Sequence, residues 1–80
     1  MNAILKEELM EFNKYHFPKY VMTDLETYYR AKEAYIERQE DDFIEHWYDM
    51  IYTSLKSQWV GGKISEATFW HLVSLLRHGV

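Results

Sequence analysis

Four histidines are the first candidates for chemistry: His16, His46, His71 and His78. Helical metal sites place ligands three or four residues apart, as in Glu-x-x-His or His-Glu-x-x-His. None of the four has a carboxylate three residues before it, and no acid lies between His71 and His78. Asp42 and His46 are four apart and form an isolated pair. One pair does not make a tetrahedral site, so no metal and no cofactor are expected. Ser54, Ser57, Ser65 and Ser74 lie in no nucleophile-elbow motif. Gly61-Gly62 is a pair rather than a phosphate cradle. Carboxylates are plentiful, but acid–base catalysis needs a cleft that positions them, and three short helices rarely build one. The chain is therefore read as a non-enzyme.

The segment Gly62-Lys63-Ile64-Ser65-Glu66-Ala67-Thr68-Phe69 resembles the second half of an EF-hand loop running into its exit helix. Laid on that pattern, Ser57, Trp59 and Gly61 fall at ligand positions, and Thr68 stands where a bidentate Glu belongs. None of these supplies a carboxylate, so calcium is not expected. A tight turn and a capped helix remain from the resemblance.

Two surface features are better candidates. Asp41, Glu45 and Asp49 repeat every four residues, with Asp42 beside them. On a helix they share one face, either a solvated outer surface or a docking face for a basic partner. The second feature is aromatic: seven Tyr, four Phe and three Trp in 80 residues. A small core fills well with large rings, but not with all of them. Tyr28 and Tyr35 fall on one flank of the central segment, Tyr48 and Tyr52 on another. Tyr and Trp are favoured at interface centres, so these four join the acids as candidate partner-binding residues.

Three helices must position them. The first is expected over residues 2–16, capped by Asn2, with Leu5, Leu9 and Phe12 inward and Glu7, Glu8 and Glu11 mostly outward. Pro18 ends it, and residues 16–22 form an apolar bridge packed on the core. Thr23-Asp24-Leu25-Glu26 reads as a capping box opening a long helix over residues 24–59, closed by Gly61-Gly62. Leu25, Tyr29, Ile36, Phe43, Trp47 and Met50 keep one phase within about a 60° sector of that helix. Gln39-Glu40-Asp41-Asp42 is a weak helical stretch, and Asp42-Phe43-Ile44-Glu45 could itself start a helix. The continuous apolar phase favours one rod. The last helix covers residues 66–78, capped by Ser65, with Phe69, Leu72, Val73 and Leu76 inward.

Length and composition bound the rest. Eighty residues allow one domain. There is no cysteine, hence no disulfide and no thiolate metal site, which fits a reducing cytoplasm. No apolar run approaches the roughly 18 residues of a membrane span, and residues 1–8 lack the pattern of a signal peptide. The formal net charge is −4, and residues 24–60 hold nine acids against four bases. That pattern argues against binding a nucleic-acid backbone, which takes clustered Lys and Arg.

The expected fold is all-α: three helices, or four if the central one breaks. A rod of about 54 Å would outreach its two short neighbours, so a helical homodimer along it is expected. The expected function is a small regulator or adaptor that binds another protein. The alternative is an acidic inhibitor presenting carboxylates in place of nucleic-acid phosphates.

Overall fold

A computed structural model describes residues 2–80. It is all-helical, with four helices: α1 (Ala3–Asn13), α2 (Lys19–Arg38), α3 (Ile44–Val60) and α4 (Glu66–Arg77). Asn2 caps α1 by accepting the Leu5 N–H at 2.9 Å. Ser65 caps α4 by accepting the Thr68 N–H at 3.1 Å. Both caps were legible because a short oxygen-bearing side chain satisfies a donor that the first turn leaves unpaired.

The long central helix is not continuous. It divides into α2 and α3 around residues 39–43, and α3 folds back antiparallel on α2. Gln39 takes a left-handed conformation (φ 55°) and its N–H reaches the Ala34 and Tyr35 carbonyls. Phe43 is left-handed as well (φ 58°), and the Asp41 carboxylate accepts the Ile44 N–H at 3.3 Å. Two such residues cost of order 1–3 kcal/mol each. The fold-back buries Ile44, Ile51 and Leu55 on α3, each worth about 1.5–3 kcal/mol. Burial outweighs the strain. A rod of about 54 Å would also exceed the molecule's longest extent of 37 Å. The length mismatch that motivated a homodimer therefore disappears.

The apolar phase also changes at the break. Leu25 and Tyr29 are buried as expected, whereas Ile36, Phe43 and Met50 are exposed. On α3 the inward stripe is Ile44, Ile51, Leu55 and Gln58. Its register against α2 is set by polar pairs: Ser54 donates to Asp24 at 2.5 Å, and Tyr20 and Ser57 share a 2.9 Å hydrogen bond.

The start of α2 also differs from expectation. Thr23 is no cap; it lies inside the helix, and its carbonyl accepts the Thr27 hydroxyl. The helix opens at Lys19 directly after Pro18, whose carbonyl accepts the Val21 and Met22 N–H groups at 3.1 Å. Proline breaks a helix that precedes it, but its fixed φ is also pre-set to begin one. The apolar bridge is correspondingly shorter: α1 ends at Asn13, and Phe17 packs into the core.

At the other end of α3 the glycine pair closes the helix as its sequence implies. Gly62 takes φ 76°, its N–H bonds the Trp59 carbonyl, and the Lys63 N–H bonds that of Gln58, each at 2.9 Å. This crossed pair is a Schellman cap. Helices α1 and α4 then pack on the α2–α3 hairpin. Phe12 meets Tyr29 edge-on, and Phe69 lies against Tyr52 and Trp59. No helix among the described residues is long and apolar enough to cross a membrane.

Candidate functional site

The acidic row does not survive as four equivalent free carboxylates. Arg77 of α4 crosses to Glu45 and donates to both its oxygens, at 2.9 and 3.0 Å. That bidentate hydrogen bonding holds the Glu45 carboxyl below the usual carboxylate range. The same guanidinium lies 3.7 Å from the Tyr48 ring centre, a cation–π contact. Asp41 is occupied in capping α3. Asp42 and Asp49 remain exposed, and their backbone carbonyls accept Trp47 Nε1 and the Thr53 hydroxyl.

The tyrosines separate in the same way. Tyr28 is fully buried and donates to the Leu76 carbonyl. Burial drives its phenol well above the usual tyrosine range. Its ring belongs to the core, and no partner reaches it. Tyr48 and Tyr52 are half-buried and pack against each other, Tyr52 also meeting Phe69. Tyr35 is exposed.

What the fold presents instead is Phe43. The residue is 73% exposed at the corner between α2 and α3, on left-handed backbone. Glu40, Asp41 and Asp42 precede it directly. Trp47 and Met50 follow at helical spacing, half-buried and exposed respectively, so an apolar stripe runs from the corner along α3. Two of the expected acids, Asp41 and Asp42, thus stand beside Phe43, which the helical phase places in the apolar stripe of a continuous rod.

A second cluster was missed altogether. Glu8, expected to face solvent, is 6% exposed, and Lys32 is 0% exposed. Lys32 Nζ donates to Glu8 Oε1 at 2.7 Å and to the Leu75 carbonyl at 2.8 Å. The Tyr29 hydroxyl donates to the same Oε1 at 2.8 Å, and His78 Nδ1 lies 3.1 Å from Oε2. Burial pulls the Lys32 ammonium below the usual lysine range, opposed by its hydrogen bond to Glu8. Beside the cluster is a cavity of about 140 Å³ walled by Ile4, Leu5 and Ile36. A sequence signal for it exists: Glu8 lies between Leu5 and Phe12, on the inward phase of α1.

At the opposite end of the molecule a hydrogen-bond relay runs along α3. The Ser57 hydroxyl donates to the Ser54 carbonyl at 2.8 Å. Tyr20 must therefore donate to Ser57, leaving its oxygen to accept Gln58 Nε2 at 2.8 Å. Gln58, thus oriented, lines a cleft of about 300 Å³ between the α1–α2 and α3–α4 turns. Among the described residues no group of three His, Asp or Glu side chains converges as a metal site.

Compared with known protein families, curated proteins and solved structures, the chain matches none.

Proposed function

We propose that this chain is a non-enzymatic interaction module whose α2–α3 corner, centred on Phe43, receives a basic, apolar segment of another protein. One observation carries the reading: Phe43 is held in left-handed backbone and is 73% exposed. A bulky residue in that conformation costs of order 1–3 kcal/mol, and the exposed ring recovers little of it by burial. Glycine or asparagine would serve the turn better. A large apolar residue kept at such a position is best accounted for by a contact it makes outside the chain. Asp42 sets the complementary charge, Glu40 lying 3.4 Å from Arg38 and Asp41 accepting the Ile44 N–H, and Met50 extends the apolar surface along α3.

Nucleic-acid mimicry has less behind it. Glu45 is engaged by Arg77 and Asp41 by the α3 cap, which breaks the regular row that mimicry requires.

The test uses a synthetic amphipathic helical peptide of Leu and Lys as probe, titrated by calorimetry at low and high salt. Phe43→Gly removes the strained Cβ and should stabilise the fold by about 1 kcal/mol. It should weaken peptide binding at least ~10-fold, the loss of one buried aromatic anchor. Asp42→Asn should weaken binding at low salt only, because exposed charges are screened over about 8 Å at physiological ionic strength. Unchanged affinity in Phe43→Gly would remove the corner as the docking element. Competition by DNA at the same face would revive mimicry.

A further inference from the structure

The cleft at the far end of the hairpin is complementary to the Phe43 corner. Its walls mix rings and polar groups: Tyr15 and Phe17 stack at 5.6 Å, Pro18 and Ile64 lie beside them, and His16 and Gln58 add polar edges. Lys63 stands exposed on its rim, with Lys19 exposed at the adjoining start of α2. The corner is the reverse, an exposed apolar ring behind Glu40, Asp41 and Asp42. The two features sit at opposite ends of α2, about 30 Å apart for 20 helical residues. No chain of this shape can satisfy its own cleft with its own corner.

We infer that the cleft of one copy receives the Phe43 corner of a second copy of this chain. The inference rests on the reading of the corner as a docking element and names its partner. The contact places the Phe43 ring against Tyr15, Pro18 and Ile64. It sets Lys63 of the receiving copy against the Asp42 carboxylate of the other. It is heterologous: one surface of the molecule meets a different surface of its neighbour. This differs from a symmetric pairing along a long helix, which would bring identical faces together.

Heterology makes the test selective. Sedimentation equilibrium of the full chain, up to about 1 mM, should show association that weakens with salt. Lys63→Glu places an acid against an acidic corner, and Asp42→Lys places a base against a basic cleft. Each variant alone should associate at least ~10-fold more weakly than wild type. Mixed in equal amounts they should associate again, because the unaltered corner of the first meets the unaltered cleft of the second. Circular-dichroism melts of both variants check that neither has lost its fold. A chain that stays monomeric throughout, a Lys63→Glu variant that associates like wild type, or a mixture that stays dissociated would each overturn the inference. Lys63→Glu leaves the corner intact and should still bind the Leu/Lys peptide. A wild-type chain that binds the peptide but does not self-associate would sink this inference alone. Peptide binding indifferent to Phe43→Gly would sink the reading beneath it.

Discussion

Lys32→Ala is expected to destabilise the fold by about 3–5 kcal/mol, the usual consequence of leaving one member of a buried ion pair unpaired. Lys32 has no exposed surface and Glu8 almost none. Without the ammonium, the Glu8 carboxylate keeps only the Tyr29 hydroxyl and the His78 ring, and the Leu75 carbonyl loses its side-chain donor. At roughly 0.05–0.15 kcal/mol per residue, a chain of this size has about 4–12 kcal/mol in total. Losing about 3–5 kcal/mol takes a large share of that total, so the variant should unfold at a much lower urea concentration than wild type. Urea denaturation gives the number. The pair itself contributes much less than its disruption costs, because desolvating two charges offsets most of their attraction. Glu8→Leu with Lys32→Met and Tyr29→Phe, the last removing the buried hydroxyl that would lose its acceptor, should accordingly fold, within about 1 kcal/mol of wild type or above it. A single variant costing under about 1 kcal/mol would mean that the network is not closed to water.

Phe69→Ala should cost a similar amount, about 3–5 kcal/mol, by a different route. Phe69 is fully buried and joins the aromatic contacts of α3 and α4. Its ring centre lies 5.3 Å from Tyr52, 5.1 Å from Trp59 and 4.9 Å from Trp70. Truncation leaves a void that three large, stiff rings cannot collapse into, so transfer and cavity costs add. The loss should also show in near-ultraviolet circular dichroism, where fixed Tyr and Trp environments give signal. Phe69→Leu, which retains most of the volume, should cost clearly less. Equal destabilisation by both substitutions would point to ring geometry rather than filled volume.

The Asn2 and Ser65 caps, the α4 core face and the glycine stop could be read from the sequence because each is decided locally. A short polar residue ahead of an apolar run, or a glycine after one, acts through neighbours three to five positions away. The break at residues 39–43 is not local in this sense. Gln39 and Phe43 are poor choices for left-handed backbone, and only the area gained by laying α3 against α2 makes them acceptable. The unbroken spacing from Ile36 to Phe43 reinforced the wrong answer, although both side chains are exposed. Pro18 was read for the helix it ends rather than the one it begins. Glu8 and Lys32 were hidden for another reason. Each lies on the apolar phase of its own helix, but a lone charge there reads as an edge residue until the partner helix supplies the opposite sign. The four acids and four tyrosines do not share one free face. Arg77 and the α3 cap occupy two of the acids, Tyr28 is core, and the aromatic residue the corner displays is Phe43.

The contact between Glu8 and His78 joins positions 70 residues apart in an 80-residue chain, and this separation bears on the order of folding. The α2–α3 hairpin closes through a five-residue turn, so its contacts can form while the ends of the chain are still free. Each doubling of loop length adds only about 0.6 kcal/mol to the entropy of closure, but docking α1 against α4 has to wait for the surface on which both rest. Glu8 and Lys32 are therefore expected to exchange water for each other late, after the rate-limiting barrier. Stopped-flow measurements on Lys32→Ala should show a rate of unfolding raised by nearly the whole loss of stability and a rate of folding almost unchanged. A slowed folding arm would place the ion pair in the nucleus instead. With the expected result, the pair acts as a latch on the finished molecule: it prolongs the lifetime of the native state without speeding its formation.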